Sequence, residues 1–143
     1  MKLLGFNFTK ISIEKKDTRV DKLKINTKID LKEIKEVEQG LFKTKEKLIA
    51  INFNYSIEYE PEFAKIYFEG GFVISLESKD AKELLKQWEE KKTPDDIRIK
   101  IFNIILRKTN VKALQLEEEI GLPFHVSMPI IRKQDPTNQN TET

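Results

Sequence analysis

Two hydrophobic rhythms divide the chain. As far as Ser78 apolar residues recur at every second position, whereas from Asp80 onward they recur at intervals of three and four. The clearest alternation is LIAINFNYSIEYE: Ile49, Ile51, Phe53, Tyr55, Ile57 and Tyr59 alternate with Ala50, Asn52, Asn54, Ser56 and Glu58. That spacing predicts a long central strand with one buried face. In FNFTKISIEKK, Phe6 and Phe8 keep one phase and Ile11 and Ile13 the opposite one, and a bulge near Thr9 or Lys10 reconciles the two. LKINTKIDL places Leu23, Ile25, Ile29 and Leu31 on one face, and the charged stretch KEIKEVEQGLFKTKEK reads as a crossing loop or a strand extension. A turn at Glu60, Pro61 and Glu62 leads into FAKIYFEGGFVISLES, where the pair Gly70 and Gly71 indicates a bend, a bulge or close backbone contact. The expectation is four antiparallel strands in a meander.

The helical part begins at DAKELLKQWEEKK. Asp80 and Glu83 have the spacing of a capping box, and Ala81, Leu84, Leu85 and Trp88 share one face. Thr93, Pro94, Asp95 and Asp96 open a second helix through N-capping and dipole complementarity. That helix is apolar on two sides. Ile97, Ile101, Ile104 and Ile105 form one stripe, and Ile99, Phe102 and Leu106 form another. A single sheet covers one side only, so the second stripe is assigned to a contact with another subunit, with burial by the following segment as the alternative. Ala113, Leu116 and Ile120 continue into a third helix that Gly121 ends as its C′ residue. The fold class expected is α+β, a four-stranded antiparallel meander followed by C-terminal helices packed on one face. It forms a single domain over 1–132, with a polar, disordered tail over 133–143.

The segment GLPFHVSMPIIR, Gly121 to Arg132, follows neither a helical nor a clean strand period. Pro123 and Pro129 forbid a continuing helix and remove two backbone donors. It carries Leu122, Phe124, Val126, Met128, Ile130 and Ile131, and Met128 is the adaptable residue of the set. Such a segment either walls a groove or straps the core, and the sequence leaves both open.

Composition narrows the chemistry. Lysines and arginines number 26 against 24 acids, a net charge of +2 with both signs spread along the chain, which argues against a nucleic-acid surface. There is no cysteine and one histidine, so thiolate or paired-histidine metal sites and thiol nucleophiles are excluded. No phosphate-binding or nucleophile motif occurs, and no cofactor is implied. His125 reads as a loop residue with an ordinary hydrogen bond. The carboxylate groups Glu58, Glu60 and Glu62, then Asp95 and Asp96, then Glu117, Glu118 and Glu119 read as surface charge. The leading MKLLGFNFTK has an apolar patch too short for a signal sequence, and no apolar run reaches membrane-spanning length, so a cytoplasmic protein without membrane insertion is expected.

Three stretches carry a resemblance. FTKISIE, GGFVI (Gly70 to Ile74) and LPFHVSMPI, in this order and spacing, resemble the first strand, a later glycine-containing strand and the post-helix loop of the SecB-type export chaperones and their archaeal relatives. The resemblance spans roughly Gly5 to Ile131. It implies an ATP-independent chaperone whose protomers pair into dimers and a homotetramer, and whose grooves hold extended, unfolded clients. The chain departs from the bacterial pattern at NVKALQLEEEI. It also ends soon after Arg132, where bacterial members continue into a further helix and a tail that often binds zinc, so no metal site is carried over.

The resulting expectation is a holdase, not an enzyme, acting in export or in an antitoxin-associated role. Its client groove would be lined by Leu41, Phe42, Phe53, Tyr55, Trp88, Leu122, Phe124, Val126, Met128 and Ile130, and its oligomer interface by Ile99, Phe102 and Leu106. The competing expectation is an oligomeric scaffold or adaptor that binds one specific folded partner through the same apolar features.

Overall fold

The computed structural model describes residues 1–17, 19, 21–38, 45–91 and 95–133. Four strands, β1 (Lys2–Lys15), β2 (Lys24–Val37), β3 (Glu46–Glu60) and β4 (Ala64–Glu77), precede two helices, α1 (Ser78–Glu89) and α2 (Asp95–Ile120). The period-two residues of β3 behave as their spacing predicts. Ile49, Ile51, Phe53, Tyr55, Ile57 and Tyr59 are all buried, each at 2% exposure or less.

The sheet is fully antiparallel with strand order β1-β4-β3-β2. It is therefore not the meander expected. β2, β3 and β4 follow one another as hairpins, but β1 lies beyond β4, so the chain crosses from one edge of the sheet to the other between its first two strands. Both edge strands realign apolar side chains with the buried face by skipping a residue, although Leu3, Leu4 and Ile11 of β1 stay exposed. Phe6 pairs with Phe72 and Phe8 with Gly70, then the register shifts between Phe8 and Lys10, so Ile11 and Ile13 meet Phe68 and Ile66 on the same face. β2 does the same between Leu31 and Glu33, which brings Leu31 and Ile34 against Phe53 and Ile51. The stretch that read as loop or strand extension is thus strand as far as Val37.

The glycine pair marks close approach. A Cβ on Gly70 would stand 2.8 Å from the Asn7 carbonyl oxygen and 3.0 Å from the Phe53 ring, and one on Gly71 would stand 2.6 Å from Asn52 Oδ1. The room left at Gly70 admits an aromatic cluster on the buried face. Phe6 lies 5.1 Å from Phe8, 5.6 Å from Phe53 and 5.9 Å from Phe72 between ring centroids, and Phe8 lies 5.3 Å from Phe68.

α1 buries Ala81 and Leu84, with Leu85 and Trp88 half-buried against the same core. Its N-cap is Glu77, without a side-chain cap, so Asp80 sits in the first turn as a dipole-complementing acid and the capping box is not formed. Glu83 accepts a hydrogen bond from Gln87 Nε2 instead, at 2.8 Å. The proposed N-cap Thr93 with Pro94 lies outside the described residues.

Where a second and a third helix were expected, α2 runs unbroken to Ile120. Thr109 and Asn110, whose side chains can compete with helical hydrogen bonds, lie within it. Here the Thr109 hydroxyl donates to the Ile105 carbonyl at 2.7 Å inside the core, and Asn110 turns its amide toward His125. The first expected stripe is buried at Ile101 and Ile105, while on the second Ile99 is 56% exposed and Phe102 and Leu106 are half-buried against the core. No helix of the described residues is long and apolar enough to cross a membrane.

Candidate functional site

The site grows from the end of α2. Gly121 takes φ +74°, the left-handed conformation of a C′ residue, and the Leu122 amide donates to the Glu117 carbonyl at 2.8 Å. Lys15, from the end of β1, donates to the Ile120 carbonyl at 3.0 Å, placing a cation at the helix C-terminus. These contacts turn the chain back as a strap, Leu122 to Lys133, without regular secondary structure.

Beneath the turn is a buried polar cluster. Glu117 is fully buried, which corrects its assignment to the surface. Its Oε2 accepts the His125 amide at 2.9 Å and the Tyr59 hydroxyl, and its Oε1 lies 2.7 Å from His125 Nδ1. His125 Nε2 lies 2.8 Å from Asn110 Oδ1, and the His125 side chain is 1% exposed. The Tyr59 oxygen is also 2.8 Å from the Pro123 carbonyl, so one phenolic proton stands between two acceptors. Each ring nitrogen of His125 thus faces a polar partner, and which of them donates follows the tautomer and the orientation of the Asn110 amide.

Two tyrosines feel this cluster. Burial, and then the Glu117 charge, push Tyr55 up to about 12 from 10.0. Burial and the hydrogen bond to Glu117 push Tyr59 higher still. Both hydroxyls stay protonated across the physiological range, and that of Tyr59 donates to the cluster.

Four of the expected groove residues lie along the exposed part of the strap or close to it. Phe124 is 38% exposed, Val126 half-buried, Met128 48% exposed and Ile130 67% exposed. Ile131 beside them is fully exposed. Leu122 is buried and belongs to the core. Phe53 and Tyr55 are also core residues, since their positions on β3 face the helix side of the sheet, and in this chain they do not reach the surface. Trp88 is half-buried on α1, and Leu41 and Phe42 lie outside the described residues. The strap is therefore divided between the two expected roles: Leu122 and the His125 side chain are buried, Pro123 and Phe124 are exposed between them, and from Ser127 onward the segment is open surface.

Sequence reasoning missed two features. One is the Glu117–His125 pair. The signal for it was a row at intervals of four, Ile101, Ile105, Thr109, Ala113 and Glu117, every member of which is 0% exposed. The other is apolar surface on β1, where Leu3, Leu4 and Ile11 are exposed beside half-buried Phe6 and Phe8. A cleft of 740 Å³ also opens where β1 ends and β3 turns into β4, with Ile13, Phe63 and Tyr59 among lysines and glutamates of both signs. Among the described residues, no group of three or more histidines, cysteines or acids is placed to hold a metal ion.

Known proteins resemble the chain in shape and not in sequence. No family model matches it, and no curated protein sequence matches it. A SecB-like chaperone from Mycobacterium tuberculosis, solved in complex with a ChAD peptide from the HigA1 antitoxin, superposes with a TM-score of 0.50. The match covers 93% of this chain and 92% of that one at 8% identity. The four-stranded antiparallel sheet followed by two helices is thus the fold of a SecB-like chaperone.

Proposed function

We propose that this protein binds, without catalysis, an extended segment of a particular partner polypeptide along the exposed part of its strap. The observation that carries the reading is the tethered strap itself: Phe124, Met128 and Ile130 stand in solvent on a segment whose base is fixed to the core. Apolar surface of this kind gains about 25 cal/mol for each Å² removed from water, and a fixed base lowers the ordering cost of binding. The fold is that of a protein solved with one antitoxin-derived peptide, which favours a dedicated partner. Limited exposure points the same way. With Phe53 and Tyr55 in the core, the strap offers a short apolar ledge and not a long aromatic groove. Protomers would pair through the outer stripe of α2, at Ile99, Phe102 and Leu106.

A general holdase is the second reading, favoured by the adaptable Met128 and by further apolar surface on β1. Client breadth separates the two. Trp88 fluorescence would follow titration with a panel of unrelated, permanently unfolded polypeptides and an array of short extended peptides, with oligomer mass measured on the same samples. Saturable binding confined to one sequence class supports the dedicated partner. Similar affinity for all members supports the holdase, and no binding by a folded protein sinks both. Replacing Phe124 and Met128 with serine is expected to weaken binding and leave the oligomer intact; collapse of the fold would assign the whole strap to the core.

A further inference from the structure

Resting on the reading of the strap as the binding segment, the geometry points to Glu117 as its positioning residue: one buried carboxylate, seconded by Tyr59, latches the strap at Pro123 to His125 and sets where its apolar side chains stand. The polar contacts that hold the strap converge on this cluster. Glu117 engages the His125 amide and ring through its two carboxylate oxygens and the Leu122 amide through its carbonyl. Tyr59 reaches both the carboxylate and the Pro123 carbonyl, and Asn110 closes the far side of the imidazole. Every one of these contacts falls between Leu122 and His125. Among the described residues, no hydrogen bond joins Val126 to Lys133 to the body of the protein.

The strap is thus fixed as far as His125 and free beyond it. The latch controls reach. At about 3.3 Å per extended residue, the six residues from Val126 to Ile131 sweep roughly 20 Å, and opening the latch back to Leu122, which stays in the core, lengthens the free segment to nine residues and roughly 30 Å. A latched strap presents Met128 and Ile130 within a restricted volume, whereas an unlatched one must be ordered by its ligand. Binding then loses the ordering entropy that the latch had already removed.

The chain lacks cysteine, so single labels can be placed cleanly. A spin label on Ser127→Cys, exposed and two residues beyond the latch, would report strap mobility, and one on Val111→Cys, exposed on α2, would report general loosening. Both are measured in the parent, in Glu117→Gln and in Tyr59→Phe, well below each protein's melting temperature. Affinity for the tightest-binding peptide of the array above is measured in parallel, with reduced, carboxymethylated lactalbumin as the non-selective comparison. The expected result is a mobile strap label, an unchanged helix label and binding weaker by about tenfold in both variants. Equal loosening of both labels would make Glu117 a merely structural residue, and an unmoved strap label would remove the latch. A freed strap with unchanged affinity would show that position does not matter to binding. Should Glu117→Gln fail to fold, Tyr59→Phe, which keeps the ring, decides the question. If the parent binds neither any array peptide nor lactalbumin, the binding role in this proposal falls with that reading, and the two labels still decide whether the latch exists.

Discussion

β3 is rich in apolar residues at alternate positions, and so is the strap from Leu122 to Ile130 once its prolines and Ile131 are set aside, yet the two end in opposite environments. Ile49 to Tyr59 are sealed at every second residue, while Phe124, Met128 and Ile130 face water. The difference lies in the neighbours. β3 is hydrogen-bonded to β2 on one side and β4 on the other, and the helices cover the face it presents. The strap has two prolines and, among the described residues, no strand paired with it and hydrogen bonds to the body only between Leu122 and His125. Alternation shows which side chains share a face, and pairing decides whether that face is buried.

Substitutions at equivalent apolar residues sharpen this contrast. Ile57→Ala in the centre of β3 is expected to lower unfolding free energy by about 2–5 kcal/mol, read from the denaturant midpoint. A loss below 1 kcal/mol would mean that the β3 face is not the core. The polar tips of β3 give a second handle. Tyr55 and Tyr59 are held protonated by burial, whereas in the unfolded chain they ionise near 10.0. Their stabilising effect is complete below pH 10 and is lost as pH rises toward and beyond about 12, by up to about 1.4 kcal/mol per pH unit for each tyrosine. Unfolding midpoints taken from pH 9 to 12 should fall, and less so in Tyr59→Phe; a flat profile would place the hydroxyls in solvent.

Gly70→Ala probes the close approach that lets β3 and β1 share the aromatic cluster. Its Cβ would press on the Asn7 carbonyl, backbone that cannot swing aside, at an expected cost of about 1–3 kcal/mol. At the other end of the scale, Ile130→Ala on the strap should change stability by less than about 0.5 kcal/mol while reducing polypeptide binding. A large stability loss there would erase the distinction between the two segments.

Much of the fold is legible in the residues themselves. The alternation of β3, the phase change between Phe8 and Ile11, the glycine pair and Gly121 each lead to the structure found, because each reports a local geometric demand. Strand order is different. Period-two spacing says which face of β1 is buried, but Phe6 and Ile13 would satisfy it beside β2 or beside β4 alike. The continuity of α2 through Thr109 and Asn110 rests on partners from the preceding turn and from the strap, which helical spacing does not show. Glu117 was hidden by its company: beside Glu118 and Glu119 it reads as one of a charged run, and only the four-residue row ending on it shows that it points inward. What the strap does was legible in part. Its prolines and apolar residues announce a non-helical surface segment, but its division at His125 depends on a carboxylate eight residues upstream.

The bulges in β1 and β2 have a further effect, on how the protein behaves among its own copies. Both are edge strands, and an unbroken edge of 14 residues would template the addition of foreign strands. Each is interrupted, β1 between Leu3 and Gly5 and again between Phe8 and Lys10, β2 between Leu31 and Glu33. The longest uninterrupted ladders left are Lys10 to Lys15 on β1 and Lys24 to Leu31 on β2, both bearing lysines. A device that keeps side chains in phase within the molecule thus also guards it against open-ended polymerisation.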